Sequence, residues 1–426
     1  MKAGAEYYIA LRYLLGRARE GGRYLRGAAA GIALSLIPII VTLIVSDGMI
    51  RGITDRYLEL GTGHIQVYYH NPNTDPRNGQ AALAGQDFSA FPELQGVWLE
   101  QQGLGVVMGN AGKSGASIRA VDPDFLTNEG SARFLRVLAG SAELAAPGEV
   151  LLGEELARAV GAEAGKTIYI MSLRVSAAGG SVPRTLPFTV KGIVSSGYQA
   201  LDALWCIISR EGGERILAPE LVKTFLTLKV WEPYQDMQRL VSRLRSALGR
   251  DYSVSSWMDL QSPLYSSYET TRQLLLFIMA LIVLVAAVNV SSAASMLVID
   301  RQRDIAVLKA AGASPGGIGR IFLWASFLTG IAGTALGVLS GLVIGRFITP
   351  LVHSLERVLS FCSALFHGGP VKILDPGFYL ENIPVIINGK AVALIAVLTI
   401  LCSVIASWLP ARRAGKVRPI ELLRKL

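Results

Sequence analysis

Four stretches of this chain contain no charged residue over at least 20 positions, and they are residues 27–46, 273–299, 321–345 and 391–411. An α-helix rises about 1.5 Å per residue, so roughly 20 apolar residues cross a hydrocarbon core of about 30 Å. Hydrophobic residues make up 51% of the 426-residue chain. Their concentration in these stretches predicts four membrane-spanning helices, which we call the first to fourth spans.

The first stretch could alternatively be the apolar part of a cleaved signal peptide, because Lys2 and several arginines precede it. A signal peptide has a short basic segment and a cleavage site with small residues. Here 26 residues precede the apolar stretch, and no A-x-A motif follows Ser46. The sequence therefore favours a first span that is retained.

The charges are distributed unevenly along the chain. Residues 1–26, 300–320 and 412–426 hold sixteen Lys and Arg and five Asp and Glu, a net charge of +11, whereas the whole chain carries +9. Lys and Arg concentrate in the cytoplasmic segments of membrane proteins. We therefore expect both termini and residues 300–320 in the cytoplasm. The excess of basic residues therefore indicates how the chain is oriented in the membrane, and it does not indicate binding to nucleic acid.

Residues 47–272, between the first and second spans, are long enough to form a folded extracytoplasmic domain. Residues 64–70 and 186–194 have the composition of strands, and residues 149–171 have a strand–helix–strand pattern. Residues 235–248 carry apolar side chains at helical spacing. The predicted fold class is an integral membrane α-helical protein with four transmembrane helices and a large α+β extracytoplasmic domain.

The remaining segments connect or flank the spans. Residues 255–273 are polar and compatible with a helix, which predicts a helical stalk that continues into the second span. Residues 346–390 contain four prolines and are expected to form an extracytoplasmic loop. Residues 1–26 are expected to form an amphipathic cytoplasmic segment, and residues 412–426 a cytoplasmic tail.

No arrangement typical of a catalytic or metal site is present in the sequence. The histidines and cysteines lack metal-ligand spacing, and they are His64, His70, His353, His367, Cys206, Cys362 and Cys402. Cys206 and Cys362 could form a disulfide, because both would face the oxidising side, but two unpaired thiols are the favoured alternative. Residues 107–117 approach a phosphate-binding loop, but Val107 occupies the position of its first glycine. We predict a non-catalytic chain with no metal and no cofactor of its own.

Two features of the sequence indicate packing or docking. In residues 300–320, Ile305, Leu308 and Ala311 predict a short amphipathic helix, with Gly312 and Pro315 at its end. Such a helix could dock on a cytoplasmic partner or could be an ordinary connection with positive charges. The third span carries regularly spaced glycines that permit close helix packing, and they are Gly330, Gly333, Gly337, Gly341 and Gly345.

Several segments resemble one known family. They are YIALRYLLGRARE at 8–20, GIALSLIPIIVTLIVSDGM at 31–49, LVAAVNVSSAASMLVIDRQRDIAVLKAAGASP at 284–315 and ASWLPARRAGKVRPIELLR at 406–424. The chain resembles the permeases of the bacterial lipoprotein-releasing (Lol) system, LolC and LolE, within the MacB and FtsX superfamily of ABC transporters. The motifs ALRYLLGR and FYLENIPVIING, the latter at 378–389, favour the Lol branch. Asp47 departs from the asparagine of the family pattern.

The resemblance implies a multi-pass protein of the bacterial inner membrane that pairs with a second permease, identical or different, and with a LolD-like cytoplasmic ATPase dimer. ATP and magnesium would be bound by that partner. The loop at 301–315 would be the helix that couples to the ATPase, and the implied coupling residues are Arg301, Arg303, Asp304, Ile305, Leu308, Lys309, Gly312 and Ala313.

The resemblance also implies that lipoproteins enter a cavity between the first and second spans and pass to a LolA-like periplasmic carrier. The residues implied in the cavity, which could equally face lipid or pack internally, are Ile40, Leu43, Ile44, Asp47, Leu275, Ile278, Met279 and Ile282. A hairpin at 173–188 would bind the carrier through Ser181, Val182, Pro183 and Arg184, or would be a plain hairpin. The alternative functions are MacB-like efflux and FtsX-like signalling that controls cell-wall hydrolases.

Overall fold

The computed structural model describes residues 3–15, 22–70, 76–175, 180–365, 380 and 384–416. The chain divides into two compact units. We call residues 1–48, 268–369 and 383–426 the membrane unit, and residues 49–267 and 370–382 the sheet unit. The first segment of the sheet unit, residues 49–267, falls within residues 47–272, and its second segment, residues 370–382, falls within the segment 346–390 that was expected to be a loop.

Helices occur in both units. In chain order they are α1 (Ala3–Leu15), α2 (Gly22–Arg56), α3 (Pro76–Ala84), α4 (Asp124–Thr127), α5 (Glu129–Phe134), α6 (Glu154–Val160), α7 (Gln199–Asp202), α8 (Arg210–Ile216), α9 (Met237–Leu248), α10 (Trp257–Leu260), α11 (Ser262–Asp300), α12 (Gln302–Ala310), α13 (Pro315–Arg346), α14 (Ile348–Leu365) and α15 (Gly389–Lys416). A π-helical segment, Tyr57–Thr62, follows α2 directly.

The strands all belong to the sheet unit. They are β1 (Ile65–Tyr69), β2 (Leu94–Met108), β3 (Lys113–Val121), β4 (Arg136–Gly140), β5 (Glu149–Gly153), β6 (Thr167–Val175), β7 (Ser181–Ser195), β8 (Trp205–Ser209), β9 (Lys223–Val230) and β10 (Tyr252–Ser256). Strands and helices occur together, which confirms the α+β prediction for this part of the chain.

Among the described residues, four helices are long and apolar enough to cross a membrane, and they are α2, α11, α13 and α15. This confirms the prediction of four membrane-spanning helices. The helix α11 has 39 residues, about 58 Å at 1.5 Å per residue, which is nearly twice the thickness of a hydrocarbon core. The extra length agrees with the predicted stalk, although the helix begins at Ser262 and not at residue 255.

The segment after the third span is not only a loop. Residues 346–390 contain α14, an 18-residue helix. Pro350 lies in the first turn of this helix, where a missing backbone N–H breaks no hydrogen bond. The prolines therefore do not prevent a helix here. Pro370 and Pro376 lie outside the described residues.

Six strands of the sheet unit pair in a closed ring, in the order β2, β3, β8, β5, β7, β6 and back to β2. Their alternate side chains form one buried apolar cluster, which includes Val107, Ile118, Leu152, Ile170 and Phe188. Cys206 also lies inside the ring, where burial raises the pKa of its thiol to about 12. The ring interior is therefore a packed core.

Outside the ring, β4 pairs with β7. The other three strands form an open part of the sheet that continues from the ring through β2, in the order β2, β9, β1, β10. The amphipathic helix α9 covers this part, as its helical spacing predicts, and buries Met237, Leu240, Val241 and Leu244. Residues 107–117 form the β2–β3 hairpin, in which Gly109 N–H donates to the carbonyl of Gly112 at 2.9 Å. They form no loop that could surround a phosphate.

Within the membrane unit, α13 packs on α2 through its glycines. A Cβ atom added to Gly337 would lie 2.8 Å from the Cβ of Leu36 and 2.9 Å from the Cα of Ala33. Equally close approaches occur at Gly333, Gly341 and Gly345. The predicted small-residue face of the third span therefore contacts the first span.

Candidate functional site

The predicted short helix in residues 300–320 is present as α12. It ends at Ala310 and is followed by Gly312, whose φ of +88° is in the left-handed region that glycine adopts without strain. The amide of Ala313 donates to the carbonyl of Leu308 at 2.9 Å, and the amide of Gly312 donates to that of Lys309 at 2.9 Å. These bonds close the helix and turn the chain toward α13.

One face of α12 is buried within this chain. Ile305 is 1% exposed, and Leu308 and Ala313 pack partly buried beside it. The cluster around them takes residues from α1 and from the ends of α2, α11, α13 and α15, and includes Ala10, Leu25, Leu297, Ile318 and Ala411. The inner face of α12 therefore belongs to an apolar cluster to which all four spanning helices contribute side chains.

The polar residues of α12 are also engaged within the chain. The ammonium of Lys309 donates to the carbonyl of Gly415 at 2.7 Å, and Arg301 pairs with Asp304 at 3.0 Å. Nearby, Glu6 of α1 accepts two hydrogen bonds from Arg320 of α13, at 3.0 and 2.9 Å. Six of the eight implied coupling residues thus pack or bond internally, and these are Arg301, Asp304, Ile305, Leu308, Lys309 and Ala313.

The exposed face of α12 consists of other residues. Of the implied coupling residues, Arg303 and Gly312 are exposed, and the carboxylate of Asp304 is 46% exposed. Val307 is 69% exposed, and Ala310 and Ala311 lie beside it. We call Arg303, Val307, Ala310, Ala311 and Gly312 the outer face of α12. Val307 was missed in the sequence, although its position two residues after Ile305 places it on the opposite side of a helix.

The implied cavity residues separate into two groups. Ile40 and Ile44 are buried against the third span, where added Cβ atoms on Gly341 and Gly345 would lie 2.8 Å from Ile40 Cβ and 2.5 Å from Ile44 Cδ1. In this arrangement neither of these side chains is available to line a cavity. The glycine spacing of the third span was the signal that could have predicted this.

The other implied cavity residues lie between α2 and α11. Leu43 and Met279 belong to one buried cluster, with Leu275 and Ile282 packed partly buried against it. Asp47 lies 3.9 Å from Arg272 and is largely buried. Only Ile278 is exposed, at 51%.

Further exposed apolar side chains lie on α11 around Ile278, and none of them was predicted as a cavity residue. They are Leu274, Leu276, Phe277, Leu281, Leu284, Val285 and Val288.

The hairpin formed by β6 and β7 extends past the ring. The strand β2 pairs with β6 only as far as Ser172, whereas β6 and β7 remain paired up to Val175 and Ser181. Residues 173–175 and 181–183 therefore form a two-stranded arm, and residues 176–179 lie outside the described residues. Ser181, Val182 and Pro183 are exposed and Arg184 is half-buried. Leu173 and Val175, also exposed, were missed.

Buried charges anchor the segment after the first span to the sheet. Lys229 of β9 is fully buried and donates to Glu59 at 2.9 Å, to Ser131 at 2.7 Å and to Asn128 at 3.2 Å. Burial lowers the pKa of Lys229, while the Glu59 carboxylate opposes this. His64, also buried, bonds to Glu59 through Nε2 at 3.2 Å and accepts the Val230 N–H through Nδ1 at 2.8 Å.

A second buried ion pair lies beside the first. Arg119 of β3 donates to the two carboxylate oxygens of Glu100, through Nε at 2.6 Å and through Nη2 at 2.9 Å. Its Nη1 donates to the carbonyl of Leu60. Both side chains are almost fully buried. The π-helical segment is thus held by Lys229 and Arg119 together. The sequence offered one signal for this network, a lysine at 229 between the apolar residues of a strand.

The described residues contain no group of three or more His, Cys, Asp or Glu that could hold a metal ion. Four other features stand out among the described residues: the exposed outer face of α12, the apolar surface of α11, the protruding hairpin of β6 and β7, and the buried charges around Lys229.

Comparisons with known proteins give a consistent result. A family model for the MacB-like periplasmic core domain matches residues 27–247, and a model for the FtsX-like permease C-terminal domain matches residues 276–419. The lipoprotein-releasing system transmembrane protein LolC of Xylella fastidiosa (strain Temecula1) is 31% identical over 427 residues, which are 98% of each chain.

Two further relatives match along the same length. LolC of Neisseria meningitidis serogroup B is 29% identical over 98% of this chain and 99% of its own. The LolE protein of Haemophilus influenzae is 22% identical over 98% of both chains.

Proposed function

This chain belongs to the LolC and LolE family of ABC transporter permeases, and on that premise we propose that it extracts lipoproteins from the outer leaflet of the inner membrane. In this proposal the termini are cytoplasmic, the sheet unit is periplasmic, and a periplasmic carrier receives the lipoprotein. A second permease and a cytoplasmic ATPase, which binds ATP and magnesium, complete the transporter.

The observation that carries the proposal is the placement of α12. Its inner face is packed in a cluster shared by the four spanning helices, while its outer face is exposed. A partner that pushes on the outer face would therefore displace the ends of all four spans together. This is what an ATPase without a covalent link to the permease needs.

The energy of extraction explains why an external motor is required. An acyl chain of about 14 methylenes, at roughly 0.8 kcal/mol each, costs on the order of 10 kcal/mol to expose to water. The apolar surface of α11 around Ile278 would shield the chains, together with the second permease. The internally packed Ile40 and Ile44 are not part of this proposed surface.

The same movement would reach the sheet unit through the chain itself. The helix α2 contains the first span and continues to Arg56, and the π-helical segment that follows is bonded to Lys229 and Arg119. Within the sheet unit, these bonds would pass a displacement of the π-helical segment to strands β9 and β3. The arm of the β6–β7 hairpin, with exposed Leu173, Val175 and Val182, would contact the carrier.

The experiment tests both contacts in cells depleted of the native permease and complemented with variants. We expect Val307→Asp to abolish ATPase stimulation and lipoprotein release, because it places a charge on the outer face of α12. Leu308→Ala, on the inner face, should lower thermal stability and retain stimulation.

Val182→Asp, in the hairpin arm, should retain ATPase activity and reduce transfer to the carrier. Lipoproteins left in the inner membrane and ATP hydrolysis by the purified complex are measured.

Specific results would contradict the proposal. Normal lipoprotein sorting on depletion, combined with unseparated cells, would support the FtsX-like signalling alternative. Normal sorting with loss of resistance to exported compounds would support MacB-like efflux. Full ATPase stimulation by Val307→Asp would show that the outer face of α12 is not the docking surface.

A further inference from the structure

The helix α14, which follows the third span, has one strongly apolar face. Successive residues of an α-helix turn by about 100°, so Leu351, Leu355, Val358 and Cys362 lie within an arc of about 60°. All four side chains are exposed. Phe361 and Leu359 flank this arc and are exposed as well. A soluble helix would bury such a face.

The opposite face of α14 is polar. His353, Glu356 and Arg357 lie there, and His353 Nδ1 is 3.2 Å from the Glu356 carboxylate. These residues occupy the middle of the helix, so α14 cannot itself cross a hydrocarbon core at acceptable cost. Among the apolar clusters formed by described residues, none contains a side chain of α14.

The position of α14 along the chain places its start at a membrane surface. The third span ends at Arg346, and only Phe347 separates it from α14. The charge-free part of that span, residues 321–345, is 25 residues long, which at 1.5 Å per residue exceeds the hydrocarbon thickness of roughly 30 Å. Arg346 therefore stands at headgroup level, and the first turn of α14 starts there.

The geometry points to α14 as an interfacial helix that lies on the membrane surface next to the third span, with its apolar face among the lipid acyl chains. Leu351, Leu355 and Val358 would insert below the headgroups. Arg357 lies on the polar side of α14 and Arg346 ends the third span, and both guanidinium groups would complement lipid phosphates. The partner of this surface is the bilayer, and the helix would hold the outer end of the third span at a fixed depth.

The test uses the full chain in nanodiscs of phosphatidylethanolamine and phosphatidylglycerol, with a spin label on Cys362. Cys402→Ser removes the thiol in the fourth span, and Cys206 remains unlabelled because it is fully buried in the ring. The matched control carries Cys362→Ser, Cys402→Ser and His353→Cys, which moves the label to the polar face. Power saturation compares access to oxygen with access to a water-soluble nickel chelate.

We expect oxygen to exceed nickel access at Cys362 and the reverse at His353→Cys. Leu355→Glu should raise nickel access at Cys362, whereas His353→Glu should leave it unchanged. Equal nickel access at both label positions would overturn the proposal, as would an unchanged Cys362 signal in Leu355→Glu. Exclusion of both reagents from Cys362, with dipolar broadening between labels, would assign the face to a second copy of the chain instead.

Discussion

The two units of this protein are stabilised by different means. The sheet unit buries ionic groups, with Lys229 fully buried beside Glu59 and Arg119 paired with Glu100. In the membrane unit, the described ion pairs other than His353–Glu356 of α14 lie near the ends of the spanning helices, and the third span packs on the first through glycines. The sheet unit can satisfy charges because its strands bring distant residues together. The spans rely on shape, since an unpaired charge in lipid is costly.

The largest effect is expected where a buried charge loses its partner. Lys229→Met should lower the free energy of unfolding by about 3–5 kcal/mol, because Glu59 is left without its ammonium partner. Thermal unfolding of the full chain in detergent measures this. Trp98, whose ring centre lies 5.7 Å from the Lys229 ammonium, serves as a fluorescence reporter.

The matched control for that change is Lys166→Met. Its pair with Glu163 is exposed on both sides, so the loss should stay below about 1 kcal/mol. Adding Glu59→Gln to Lys229→Met should recover part of the stability. If the two lysine variants lose the same free energy of unfolding, the buried pair of Lys229 and Glu59 contributes no more to the stability of the sheet unit than an exposed pair.

An intermediate effect is expected in the glycine contact between the first and third spans. Gly337→Ala should destabilise the membrane unit by about 1–3 kcal/mol, because the new methyl group would meet the backbone of Ala33 as well as Leu36. Gly31→Ala is the matched control, since a Cβ at that position meets nothing within 4 Å. Unfolding in mixed micelles measures the difference. Equal stability of the two variants would mean that the spans separate at little cost.

The smallest effect is expected at a partly exposed pair of the sheet unit. The hydrogen bond from Lys191, at 2.9 Å, holds the pKa of Glu149 below its ordinary value of 4.5, and burial opposes this. Because the folded-state pKa is lowered, the stabilisation is complete above 4.5 and is lost as the pH falls through the folded-state value.

The measurement for that pair is thermal stability as a function of pH. Glu149→Gln should be less stable than the parent chain by under about 1 kcal/mol at neutral pH, and the difference should shrink in acid. Lys191→Met should weaken this pH dependence. A difference that grows as the pH falls would show that Glu149 is not stabilised as its ionised form.

The sequence predicted the parts of the fold that depend on local patterns. Charge-free stretches identified the four spans, and the spacing of Met237, Leu240 and Leu244 identified the amphipathic helix α9. The helix α14 was missed because its prolines were read as loop signals, although Pro350 occupies a first turn.

The candidate site was less predictable, since its parts depend on contacts between distant residues. Ile305 and Val307 are both apolar, and only the packing of α12 shows that the first is buried and the second exposed. The partners of Lys229 lie 98 to 170 positions away in sequence. No local pattern encodes that distance.

The strand β2 limits how this protein can be recombined with its relatives. Residues 94–102 pair with β9 in the open sheet, and residues 105–108 pair with β6 in the ring. A chimera that exchanges the ring alone would have to join two parents within one strand. A deletion of a single residue there would shift one part of the strand relative to the other and would turn its side chains to the wrong face of either the open sheet or the ring. Viable chimeras should therefore inherit all of β2, together with β6 and β9, from the same parent.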